Sequence, residues 1–252
     1  MTETMRGSLF IPTWMSRCFD NKPPVFDDLL PDNNRMNDIR NLKHPKEKVR
    51  ELLSWLGDHH RDTLYHTYDV ALTAYRIAKY YYKGIPAYKS VDLTLKKIFT
   101  GGLIHDIGKV GIEKQILDRS APITGEQKNK LILHGKIGEI ILEEVGLNEF
   151  IPFATEHHLG NSLINHTSKQ DLENRHPLVE FIALADLISA SLDHRRKYKR
   201  VRSIDEVIKE VRKKTKKGVF SPELERAFLK FLSEGNKLPP YTNPLAFGQD
   251  FL

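Results

Sequence analysis

The 252-residue chain is 40% hydrophobic with one cysteine. That excludes an internal disulfide framework, fits a reducing cytoplasm and allows one large domain or a domain with an arm. No stretch reaches the roughly 18 uninterrupted apolar residues of a membrane span, and Pro12 cuts Ser8-Leu9-Phe10-Ile11 short of a signal-peptide core. The net charge is +6, and twelve Lys/Arg against three Asp/Glu fall within residues 195–217. That segment suits an anionic partner, either substrate phosphates or nucleic acid; its plainer reading is a solvated helix face.

Residues 1–43, rich in Pro, Asn and Asp, read as an irregular arm with apolar anchors at Phe10-Ile11 and Val25-Phe26. Its roles would be docking on the main domain or association, including a homodimer; Cys18 within it has no neighbouring motif. From Pro45 the spacing of Val49, Leu52, Leu53 and Leu56 is helical and Gly57 ends the run. The next helix, 62–83, buries Val70, Ala71, Ala74, Ile77 and Ala78, carries His66 near its start and breaks at Gly84-Ile85-Pro86. Asp92 is placed to cap a helix through Leu95, Ile98 and Leu103 to about His105.

Residues 112–121 connect to a capping box of Thr124 and Gln127. The helix there carries His134, bends or restarts around Gly135, and continues its apolar stripe through Ile137, Ile140, Ile141 and Val145. A helix over 148–157 precedes a polar, irregular stretch at 160–176. Pro177 opens a strongly apolar helix that bears Asp186 and ends near Leu192. Ser203 starts a further helix, and Pro222 stands in the first turn of the last. No strand period persists and no solenoid repeat occurs. The chain therefore reads as all-α: an arm over 1–43, one helical domain over 44–236 and a tail over 237–252.

The chemistry centres on Gly101-Gly102-Leu103-Ile104-His105-Asp106-Ile107-Gly108-Lys109-Val110-Gly111-Ile112. Adjacent side chains do not share a helix stripe, so His105 and Asp106 can converge only near a helix end or a distortion. A buried divalent ion is one reason for them to do so; a helix C-terminus with a glycine cap is the bland alternative. His66 lies upstream, with Asp62 one turn before it. Downstream come Leu133-His134-Gly135 with Gly138, Glu156-His157-His158, Ala183-Leu184-Ala185-Asp186, a basic cluster from Arg195 to Lys199, and Lys217-Gly218-Val219-Phe220-Ser221-Pro222.

This ordered set, from about Asp62 to Leu232, resembles the HD-domain metal phosphohydrolases, and among them the HD-GYP cyclic-dinucleotide phosphodiesterases. The resemblance implies a single HD-domain helical bundle with a binuclear centre. His66, His105, Asp106 and Asp186 would hold one ion, with Asp106 bridging through its two oxygens. His134 with His157 and His158 would complete the second, and Asp62 stands where some relatives use a Glu toward a third. Fe, Mn, Zn and Ni all suit such donors. Two ions about 3.5–4 Å apart clamp a phosphodiester and share an attacking hydroxide, so the catalytic group would be His105, Asp106 and Lys109, without a protein nucleophile. Lys109 is a candidate to neutralise a substrate phosphate. Arg195, nine residues after Asp186, matches the family's phosphate-contacting arginine, with Lys199 assisting. His44, His59, His60, His166, His176 and His194 have no place in the pattern.

The chain departs from HD-GYP after His157-His158. Residues 159–175 replace the Asp-Gly-x-Gly-Tyr-Pro loop, and Asp193-His194-Arg195-Arg196-Lys197-Tyr198-Lys199 stands where relatives have Asp-Arg-Pro-Tyr-Arg. The expectation is metal-dependent hydrolysis of a nucleotide-type phosphodiester, with cyclic di-GMP or a related cyclic dinucleotide as the finer form. Two other classes remain open. One is an HD nuclease held to nucleic acid through residues 195–217, whose binding would fall steeply with salt. The other is a non-catalytic nucleotide-binding signalling module.

Overall fold

The computed structural model describes residues 32–83, 89–158, 160, 169–195 and 200–241. Among them every regular element is helical, and no helix is long and apolar enough to cross a membrane. Most of the N-terminal arm, Cys18, Lys199, the greater part of the 159–175 stretch and the tail beyond Tyr241 lie outside the described residues.

Where the arm reaches the domain it is helical rather than irregular. Asn33–Asn41 forms α1, and the Asp32 carboxylate accepts from the Asn34 and Arg35 N–H groups to cap it. Met36 and Ile39, three apart, bury on the core, and Arg40 pairs with Glu144. The Asn- and Asp-rich composition masks this helix, although the same Asp supplies its cap.

Helix α2 (Pro45–His59) leads into α3 (Arg61–Tyr81), which buries twelve of its residues. Around α3 pack α2, α4 (Lys89–Ile104), α10 (Val179–Leu192) and α12 (Pro222–Ser233). Helix α4 starts before Asp92, which therefore sits in its first turn rather than at its cap. The α3–α4 approach is close because of Gly102: a Cβ there would lie 2.6 Å from the Ala71 Cα. A 3-10 turn, Ile107–Gly111, follows α4 and presses on α7 (His134–Glu144). Gly108 makes that possible, since a Cβ would sit 1.8 Å from the His134 carbonyl oxygen.

Short α5 (Lys114–Leu117) precedes α6 (Gly125–Ile132), whose Thr124–Gln127 capping box carries both reciprocal bonds. The restart expected around Gly135 is present, at Leu133 between α6 and α7. Beyond α8 (Ile151–Glu156), part of the polar stretch is helical as α9 (Lys169–Asn174). Helix α11 (Ile204–Lys216) has a second capping box, Ser203 with Glu206, and Ser221 caps α12 with Pro222 in its first turn. After α12 the chain folds back along α3. The Asn236 amide donates to Tyr80 Oη at 2.8 Å, Arg76 donates to the Lys237 carbonyl at 3.3 Å, and the Tyr241 N–H donates to Asp69 at 3.0 Å.

Candidate metal centre

Five elements converge on Asp106. Helix α3 brings His66, the end of α4 brings His105, and the turn after it brings Asp106 and Lys109. The first residue of α7 is His134, the turn after α8 carries His157 and His158, and α10 supplies Asp186. Asp106 has left the helix, with φ −102° and ψ 12°. That departure lets adjacent His105 and Asp106 side chains meet, with Nε2 and Oδ2 3.4 Å apart.

The two oxygens of Asp106 face different histidines. Oδ2 lies 3.4 Å from His105 Nε2, 3.8 Å from His66 Nε2 and 2.5 Å from Lys109 Nζ. Oδ1 lies 3.4 Å from His134 Nε2 and 3.8 Å from His157 Nε2. Asp186 closes the far side, 3.0 Å from His66 Nε2 and 3.9 Å from His158 Nδ1. Two candidate ligand groups result, His66 with His105 and Asp106, and Asp106 with His134, His157 and His158. The shared carboxylate has the two oxygens that a bridge between two ions requires.

The far side of each ring fixes what the near side offers. His105 Nδ1 lies 2.8 Å from the Gly102 carbonyl, His157 Nδ1 lies 2.8 Å from the Phe153 carbonyl, and His134 Nδ1 is bonded to the Leu131 carbonyl. A carbonyl only accepts, so each Nδ1 carries the proton and each Nε2 presents a lone pair to the centre. Ser189 Oγ stands 3.0 Å from His66 Nδ1 and can accept in the same way. These outer partners are invisible to motif reading: three are backbone carbonyls, and Ser189 shows only as the residue three after Asp186.

The donors are buried beyond what the protein alone satisfies. Among the described residues His105 Nε2, Asp106 Oδ1 and His158 Nδ1 have no hydrogen-bond partner, an arrangement that costs about 1–3 kcal/mol per group unless something else binds them. Imidazole and carboxylate donors facing one point fit divalent ions of the Fe, Mn, Zn or Ni kind. Electrostatics agrees. Burial pushes His157 down to about 4, with the neighbouring His134 adding to the effect. Burial also lowers His105, His134 and His158. Neutral imidazole, the ligating form, is therefore the state at neutral pH. Burial would raise Asp106, but Lys109 and then His105 and His134 overcome it and hold the carboxyl well below its ordinary range. Asp186 is held low against burial in the same way, chiefly by its bond to His66.

The remaining expected site residues are spread more widely. Asp62 is exposed in the first turn of α3 and stands outside both ligand groups. Lys109 is at the lip of the centre, its side chain 15% exposed. Arg195 lies beside α3, its guanidinium bonded to Asp69 and Asp193 and 5.8 Å from the Tyr65 ring. Lys214, from the basic segment, donates to the Gly160 carbonyl at 2.6 Å and so braces the turn after His158. His59 and His60 have structural tasks: His59 meets the Ile112 carbonyl, and His60 caps α3 through Thr63.

The HD domain family matches residues 63–191, just over half of the chain, and that span contains all seven converging His and Asp residues. A comparison with curated proteins gave no match. The span of the match and the geometry within it lead to one conclusion: the chain belongs to the HD domain family.

Proposed function

We propose that the protein is a metal-dependent phosphodiesterase acting on a nucleotide-type substrate. The observation that carries this reading is the two-sided Asp106, with lone-pair-bearing Nε2 atoms on each oxygen. His66, His105, Asp106 and Asp186 would hold one ion, and Asp106, His134, His157 and His158 a second. When bound, such ions supply Lewis acidity toward a phosphoryl oxygen and make water more acidic. The chain's own part is to fix the donors, keep them dry and place cations at the lip. Lys109 neutralises Asp106 in the ion-free centre; with that carboxylate holding ions, its ammonium would be released to face a phosphoryl oxygen. Arg195, assigned to substrate phosphate by resemblance, keeps Nη1 clear of hydrogen bonds among the described residues. Cyclic di-GMP or a related dinucleotide is the substrate we infer from the resemblance, with Lys199 as a second phosphate contact. A nuclease is the second reading, favoured by the exposed Lys209, Lys213, Lys216 and Lys217 along α11.

The test loads the protein with Mn or Fe and offers an aryl phosphodiester, cyclic dinucleotides and single-stranded DNA. Turnover of the first two, lost together with metal content in a folded Asp106→Ala variant, is the expected result. Turnover of DNA alone would establish a nuclease, and tight dinucleotide binding without turnover would establish a receptor. Metal content unchanged in Asp106→Ala would overturn the ligand assignment.

A further inference from the structure

Helices α3 and α10 meet along a polar seam. His66 bonds to Asp186 at 3.0 Å and to Ser189 at 3.0 Å across it. One turn along α3, Asp69 is wholly buried. Its Oδ2 accepts from Arg195 Nη2 at 2.6 Å, and its Oδ1 accepts from the Tyr241 backbone N–H at 3.0 Å. The same guanidinium holds Asp193, just past the end of α10, with Nε 2.7 Å from Oδ1 and Nη2 3.2 Å from Oδ2. Asp69 thus ties α3 to the end of α10 through one side chain, and to the returning C-terminal segment through one amide.

The placement matters because of helix periodicity. Asp69 follows His66 by three residues, so the two share a face of α3. Asp193 follows Asp186 by seven residues, two turns further along. The seam therefore has two rungs: His66 with Asp186 at the metal centre, and Asp69 with Arg195 and Asp193 beside it. Asp69 is in neither candidate ligand group. An unpaired buried charge is costly, and the Arg195 guanidinium and the Tyr241 amide pair this one.

We propose that Asp69 is a positioning residue of the metal centre. Through Arg195 and the Tyr241 amide it sets the spacing of α3 and α10, and so holds His66 against Asp186. The inference rests on the metal reading of the site. Asp69→Asn keeps the volume but turns an NH2 group toward one of two donors, so one of the two ties is lost. The ion held by His66 and Asp186 should weaken, and the ion held by His134, His157 and His158 should not.

The experiment titrates chelator-stripped full-length protein with Mn2+ against a chromophoric competitor. Wild type should take up two ions, of which His66→Ala abolishes one. Asp69→Asn should weaken that same ion about tenfold or more, the size of effect that loss of an outer partner has on metal affinity, while sparing the second ion and the far-UV spectrum. Removal of residues 241–252 gives a second variant that takes away this amide together with the Tyr241 side-chain contacts to Thr73 and Arg76, and it should shift the same ion in the same direction. Unchanged affinities in both variants overturn the inference, as does parallel weakening of both ions, which would mark a general structural prop. Should Asp69→Asn fail to fold, the truncation decides by the same criteria. Wild type that takes up no ion would sink the metal reading itself, an outcome distinct from these.

Discussion

Asp106 shows how much one side chain is asked to do. It is 1% exposed, faces four imidazoles and a lysine, and has one oxygen with no hydrogen bond among the described residues. Burial opposes the charged forms of His105, His134 and His157 among them. This gives a pH prediction for the ion-free protein. The His157 pKa is about 4 in the fold against 6.5 ordinarily. Between those values the unfolded chain binds a proton that the folded chain refuses. The stabilising contribution is therefore complete above 6.5 and is lost as pH falls toward 4. His105, His134 and His158 shift in the same direction and add to it. The low-shifted Asp106 and Asp186 keep their contribution until pH drops below the ordinary carboxylate value of 3.8. Thermal melts of chelator-treated protein should show Tm falling from pH 6.5 to 4, and His157→Gln should shrink the fall. A Tm flat across that window would mean the histidines are not buried together. The side chains that cluster here were legible in the sequence because the His and Asp residues fall in an ordered set of short motifs rather than singly. Asp69 and Ser189 were not, because an acid or a serine on a helix has many ordinary uses and only packing shows which one applies.

At the scale of the element, the helices with strong local signals were legible and the short ones were not. Both capping boxes, Thr124 with Gln127 and Ser203 with Glu206, exist as bonds, and α3 and α10 follow from apolar residues at helical spacing. Helices α1 and α9 are nine and six residues long, below the length at which a helix is stable alone; tertiary contact decides such segments. The break at Leu133 likewise comes from docking: α7 must begin where Gly108 approaches it. Two glycines separate local from tertiary demands. Gly108→Ala would put a methyl 1.8 Å from the His134 carbonyl oxygen, so the Asp106 turn must move off α7. We expect a loss of about 1–3 kcal/mol, in the range of overpacked cores, together with loss of the ion that Asp106 and His134 share. Gly125→Ala, in the first turn of α6, meets nothing within 4 Å and should stabilise by about 0.4–1 kcal/mol. Denaturant unfolding and metal analysis of the two variants check both statements. A Gly108→Ala protein with native metal content would remove the argument that this glycine places the centre.

For the whole molecule the open question is how the positive charge is used. Residues 195–217 carry an excess of nine positive charges in a chain of net charge +6, and the fold divides those residues between tasks. Arg195 is held by Asp69 and Asp193, Lys214 braces Gly160, Arg200 pairs with Glu206, and Arg212 lies 3.9 Å from Glu225. Lys213, Lys216 and Lys217 remain exposed at the end of α11, where cations suit the helix dipole. A mononucleotide- or dinucleotide-sized substrate in the centre meets few of these charges. A nucleic acid strand running along α11 would meet several and release counterions, with a log–log salt slope of about −0.7 per phosphate neutralised. The proposed phosphodiesterase therefore predicts that kcat/KM on a cyclic dinucleotide changes only shallowly between low and moderate salt. Lys213→Ala with Lys216→Ala should leave that constant within about twofold, since both side chains are exposed and salt screens exposed charges. Measuring both on metal-loaded protein separates the readings. A steep slope that the double variant flattens by about one to two phosphates would mean that α11 grips the substrate backbone, and the small-molecule reading would give way to the nuclease.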